Sequence, residues 1–215
     1  MVKKDSEDKK TEQEEPEDKV LFDLSNLEKP ILRVAGIYGD LSEEKASETI
    51  YGLLQLDSLR SLAPKDPDNP ESEMEEVPEP IDFYISTQGG LATEMFSVYD
   101  MMRKVKETTP IHTCGIGKVM SAGVLLLAAG TKGQRRIGKN CRVMIHGVIS
   151  GQSGHLQDVE NEFEEAKLTQ KLYVKSLAEE TDMTEKYIKK LMDRKTNVYL
   201  DAQKAVELGI ADIVF

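Results

Sequence analysis

The chain has 215 residues, with 39 Asp plus Glu against 28 Lys plus Arg and a formal net charge of −11. No Lys/Arg-rich run is present to meet phosphates, and the longest apolar run, Val124 to Ala129, is far short of the roughly 20 residues of a membrane span; nucleic acid and membrane are excluded as main partners. Two cysteines make neither a disulfide framework nor a metal cluster, and the first residues lack the apolar stretch of a secretory leader, so the expectation is a cytoplasmic protein with one folded domain.

Residues 1–19 carry eight acids and five bases and no aromatic residue, and are predicted to be a disordered acidic tail. The domain is expected to span 20–215. ILRVAGI (31–37) is rich in β-branched residues and predicts a strand. Ser42, followed by Glu43 and Glu44, predicts a helix start that suits the dipole. Residues 56–80 hold eight acids, two bases and five of the eight prolines, Pro64, Pro67, Pro70, Pro78 and Pro80. That density predicts an exposed, inserted loop. The two acidic stretches carry −9 of the −11, leaving a near-neutral body.

Beyond the loop the pattern is regular. IDFYIS (81–86) predicts a strand, Gly89-Gly90 a turn, and 93–106 a helix with Met95, Val98, Met102 and Val105 on one stripe. IHTCGI (111–116) predicts a strand, 122–129 a short apolar helix, and CRVMIHG (141–147) another strand. A long amphipathic helix is expected over 156–177, with Gln170 interrupting its apolar stripe between Ala166 and Tyr173. Thr184 predicts the cap of a shorter helix ending near Arg194. Asp201 caps another that Gly209 closes, and IADIVF ends the chain as a strand. Strands alternating with helices predict an α/β fold with a mostly parallel sheet.

Three places could carry chemistry. His146 ends an apolar strand, where ligand sites form in α/β sheets, whereas His112 sits among apolar neighbours and His155 in a glycine-bearing loop. Ser121 precedes the apolar helix: it is either an ordinary N-cap or a hydroxyl facing free N–H groups that could hold an oxyanion. The G-x-S-x-G nucleophile motif does not fit, because Val119 stands at its first glycine. Gly89-Gly90 is either a plain turn or bare backbone open to a substrate. No pattern indicates a metal or nucleotide, so no cofactor is expected; G-K-V-M-S is not a Walker motif.

The segments FYISTQGGLATEMFSVYDMMRKVK, GKVMSAGVLLLAAGTKGQRRIGKNCRVMIHGVISG and YLDAQKAVELGIADIV resemble the proteolytic subunit of the Clp protease (ClpP), a serine peptidase family. The resemblance covers roughly 20–55 and 81–215. It implies the ClpP/crotonase-like fold of repeated βαβ units with a protruding handle helix. By position, Ser121 resembles the nucleophile and His146 the general base, and the N–H groups of Gly90 and Ala122 fall at the oxyanion hole. The family's aspartate falls on Asn197, with Asp193 as the alternative. The implied partners are unfolded polypeptides, an AAA+ unfoldase, and copies of the chain in a homo-oligomeric heptameric ring that can stack as a tetradecamer.

Departures accompany the resemblance. Val198 stands where an arginine often contacts a stacked ring, and the handle segment H-x-P-x-G-G reads HGVISG, without its proline. The acidic tail replaces the pore-loop segment. Two other readings remain: a weakly active or inactive subunit of a mixed ring, marked by Asn197, and a crotonase-fold enzyme acting on a CoA thioester.

Overall fold

The computed structural model describes residues 32–59, 61–193 and 196–215. The expected acidic tail, the start of the domain at residue 20 and Arg194 lie outside them.

Strand β1 (Val34–Tyr38) leads through the Gly39 turn into helix α1 (Glu43–Ser58). The Ser42 side chain accepts from the Lys45 N–H, and Glu43 and Glu44 occupy the first turn, as the sequence predicts. Residues 56–80 differ from the expected loop. They contain an antiparallel hairpin, β2 (Ser61–Pro64) and β3 (Met74–Val77), forming a sheet of its own. The prolines frame the hairpin. Pro67 and Pro70 lie in its turn and Pro78 and Pro80 beyond its end; Pro64 closes a short strand with one paired neighbour, a setting that proline tolerates. Asp66 and Asn69 side chains accept from the N–H groups of Asp68 and Glu71, which builds the turn locally.

The main sheet follows: β4 (Ile81–Thr87), helix α2 (Ala92–Val105), β5 (Ile111–Met120), helix α3 (Ala122–Ala128), β6 (Arg136–Ile137) and β7 (Arg142–Ile145). Next come α4 (Leu156–Glu180), α5 (Glu185–Met192), β8 (Val198–Leu200), α6 (Ala202–Glu207) and β9 (Ile213–Val214). The order is β1-β4-β5-β6-β9, with β7 on β5 and β8 on β7. Every pairing in it is parallel except β7–β8. The predicted α/β architecture is therefore present, although the short β6 and β8 gave no clear periodic signal.

Two features set up the cleft. Strand β5 changes register against β4 between Ile85 and Thr87, and around Gly117 (φ +64°) it switches partner from β6 to β7. Beyond that irregularity β5 ends at Met120, and the chain turns at Ser121 directly into α3. Helix α3 is buried on all sides. Its Val124, Leu125, Leu126 and Leu127 are wholly inaccessible, at about 1.5–3 kcal/mol of transfer energy each. The serine is thus mounted on a helix whose residues are all buried. Helix α4 behaves oppositely along its length. Tyr173, Val174 and Leu177 are buried, while Leu156 and Phe163 stand exposed near its start.

Candidate active site

Ser121 adopts φ 54°, ψ −118°, and among the described residues it is the one non-glycine residue with positive φ. Such a conformation costs about 1–3 kcal/mol. Its hydroxyl makes no cap bond to α3, so the ordinary N-cap reading fails. The backbone is held instead: Ser121 N–H donates to the Met144 carbonyl at 2.8 Å, and its own carbonyl accepts from Val124 N–H and from the Tyr173 hydroxyl. A strained serine at a strand-to-helix turn is the geometry of a nucleophile elbow, reached here without the first motif glycine. The space comes from the turn after β4. Gly89 (φ +109°) lies against Ser121, where a Cβ would fall 2.6 Å from the serine Cβ. Gly123 supplies the rest, because a Cβ there would meet Thr87.

A cleft of about 330 Å³ opens over Ser121. Its lining includes Gln88, Gly90, Leu91, Ala122, His146 and Tyr173. The structure thus brings Ser121, His146, Gly90 and Ala122 to one cavity. The Gly-Gly turn is strapped to the chain after β1: Leu41 N–H donates to the Gly89 carbonyl and Leu91 N–H to the Leu41 carbonyl. Gly89 N–H is taken by the Thr87 hydroxyl at 2.9 Å. Gly90 N–H is left with no acceptor among the described residues, and a Cβ at Gly90 would run into the Leu41 carbonyl. Ala122, first residue of α3, has no intrahelical acceptor for its N–H. Two unpaired donors therefore border the cleft beside Ser121.

His146 follows β7 directly. Its Nδ1 lies 2.5 Å from the carbonyl oxygen of Gly147, and no hydrogen bond joins it to Ser121 in this conformation. Asn197 immediately precedes β8. Ile145 pairs with Val198, so continuing the antiparallel ladder by one residue sets Asn197 opposite His146. Its side chain is exposed and makes no hydrogen bond with the imidazole. Asp193 caps the end of α5, four residues upstream and exposed.

Three contributors escaped the sequence reading: Thr87, Gly89 as the neighbour of Ser121, and Tyr173. In the sequence Tyr173 reads as one more apolar position of a helix stripe. Burial pushes its phenol well above the usual range, so it remains a donor to Ser121. His112 lies on β5 with Asp82 4.0 Å away, outside the cleft. Burial likewise raises the Cys141 thiol to about 11, too protonated for a nucleophile near neutral pH. Among the described residues no group of three or more His, Cys, Asp or Glu is placed to hold a metal. No helix among them is long and apolar enough to cross a membrane.

The Clp protease family model matches residues 72–215. The chain belongs to the Clp protease family. A relative, the ATP-dependent Clp protease proteolytic subunit 1 of Prochlorococcus marinus (strain MIT 9312), is 32% identical over 174 residues, 81% of each chain. The ClpP/crotonase-like architecture accords with the mostly parallel sheet, and the activity class that goes with membership is that of a serine-type endopeptidase.

Proposed function

We propose that this Clp family chain cleaves peptide bonds with Ser121 as nucleophile and His146 as general base. The observation that carries the reading is the strained, uncapped Ser121 in one cleft with His146 and two free N–H groups. The imidazole takes the Ser121 proton as the oxygen attacks the scissile carbonyl. The N–H groups of Gly90 and Ala122 hold the oxyanion; each such donor is worth about 10²–10³ in turnover in comparable sites. His146 then returns the proton to the leaving amine, and water, activated by the same imidazole, hydrolyses the acyl-enzyme. Asn197 takes the third position, supported by its register opposite His146; Asp193 lies four residues upstream, exposed at the end of α5.

Substrate binding must bring Ser121 and His146 into contact, since catalytic hydrogen bonds often tighten only in the complex. In the fuller reading the substrates are unfolded polypeptides delivered with ATP hydrolysis by an AAA+ unfoldase. The subunits form a cytoplasmic heptameric ring, stacked through the exposed start of α4 with its Leu156 and Phe163. The test is hydrolysis of a short fluorogenic peptide by the assembled protein. Ser121→Ala should abolish it, and equal rates in the two proteins would refute the reading.

A second reading has its own support. Asn197 cannot neutralise an imidazolium, and no hydrogen bond joins Ser121 to His146 in this conformation. Both favour a weakly active subunit of a mixed ring. Near-zero activity alone, restored by co-assembly with an active paralogue, would favour it.

A further inference from the structure

We propose that Gln170 is a positioning residue for His146, acting through the single peptide group that joins Gly147 to Val148. The proposal rests on the roles of Ser121 and His146 given above. That peptide is held at both ends. Its carbonyl oxygen, on Gly147, lies 2.5 Å from His146 Nδ1. Its N–H, on Val148, donates to Gln170 Oε1 at 3.1 Å. The same Oε1 lies against Gly147, 3.0 Å from where a Cβ would stand, so a side chain at residue 147 would crowd the amide.

The consequence concerns the imidazole. A carbonyl can only accept, so the Gly147 oxygen keeps the proton on Nδ1 and leaves Nε2 with the lone pair a base needs. Asn197 makes no hydrogen bond with the imidazole in this conformation, so if the peptide turns, Nδ1 loses the acceptor it has and both tautomers become available. Gln170 resists that turn by holding the opposite end. Its acceptance from Val148 also polarises the peptide, making the Gly147 oxygen the stronger acceptor. Residue 148 must possess an N–H for this to work, and valine supplies one where a proline could not.

Helix α4 fixes the same geometry relative to the serine. Tyr173 lies three residues beyond Gln170, on the same helix face, and its hydroxyl donates to the Ser121 carbonyl at 3.2 Å. One helical turn thus ties the His146 peptide to the Ser121 backbone. The break that Gln170 makes in an otherwise apolar stripe has its explanation here: leucine would fill the space but accept nothing.

The test combines histidine ring ¹⁵N NMR with steady-state peptide hydrolysis on the assembled protein, using Gln170→Leu, Gln170→Met and Gln170→Glu; His146→Ala assigns the resonance. Leu and Met are good helix formers, so α4 persists in at least one. The wild-type ring should carry its proton on Nδ1. In the Leu and Met variants the tautomers should mix and kcat fall about tenfold at unchanged KM, the size of one lost hydrogen bond. Gln170→Glu keeps an oxygen acceptor and should restore both. A wild-type tautomer with wild-type kcat in the folded Leu or Met variant overturns the proposal. If the wild type hydrolyses nothing and Ser121 proves inert, the functional reading falls separately. The tautomer shift still decides the role of Gln170.

Discussion

Gly89 and Ser121 touch so closely that a Cβ on the glycine would fall 2.6 Å from the serine Cβ and 3.0 Å from its Oγ. The glycine also holds φ at +109°, in the region where L side chains are strained. The turn at Ser121 therefore depends on a residue from the turn after β4, 32 positions away in the chain. Gly89→Ala should lower kcat/KM at least about 100-fold by displacing the Ser121 side chain, and cost about 1–3 kcal/mol of stability. Peptide hydrolysis and a chemical denaturation curve measure the two effects. A fully active Gly89→Ala protein would mean that the turn can shift without consequence.

The strain at Ser121 makes a prediction of opposite sign. At φ 54° a glycine is relaxed and an alanine is not. Both Ser121→Gly and Ser121→Ala should be inactive, but the glycine variant should be the more stable by about 1 kcal/mol. Thermal unfolding of the two side by side reads the difference. Equal midpoints would argue that the turn stores no strain.

Tyr173→Phe removes the hydroxyl that reaches the Ser121 carbonyl, while the bond from Val124 N–H to that carbonyl remains. The ring stays buried, so the loss of stability should be about 0.5–1.5 kcal/mol. Turnover should fall by up to about tenfold with KM little changed. A change confined to KM would assign Tyr173 to substrate binding instead.

Away from the cleft, Arg135 and Asp212 lock the end of α4 to the last strand. Arg135 is almost wholly buried and also donates to the carbonyls of Glu180 and Gly209. Burial works against the Asp212 charge, but the hydrogen bonds and charge of Arg135 outweigh it and hold the carboxyl below its ordinary range. A depressed folded-state pKa contributes stability that is fully present above the unfolded value, about 3.9, and is lost as pH falls through the folded one. Stability should therefore decline below about pH 4, and Asp212→Asn should flatten that limb. Leaving the buried guanidinium without its carboxylate should also cost about 3–5 kcal/mol near neutrality. An unchanged acid limb in the variant would remove Asp212 from the account.

The contrast between what the sequence disclosed and what it hid follows from range. Ser42, Thr184 and Asp201 each cap a helix through a side chain three residues from its donor, so local spacing predicted all three starts. Met95, Val98, Met102 and Val105 are buried together as their stripe implied. The strain at Ser121 was not readable, because its space comes from Gly89 and its backbone partners from Met144 and Tyr173, all distant in sequence. In the 56–80 segment proline density masked a hairpin that Asp66 and Asn69 help to form. The break at Gln170 was visible in the stripe, but its meaning needed the position of the Gly147–Val148 peptide.

The most direct test of the central claim is reaction of the assembled protein with a fluorophosphonate, followed by peptide mass spectrometry. A single adduct on the peptide containing Ser121 is predicted, absent in Ser121→Ala and strongly reduced in His146→Ala. No adduct in the correctly assembled protein, or one on another serine, would contradict the assignment of Ser121 as the nucleophile.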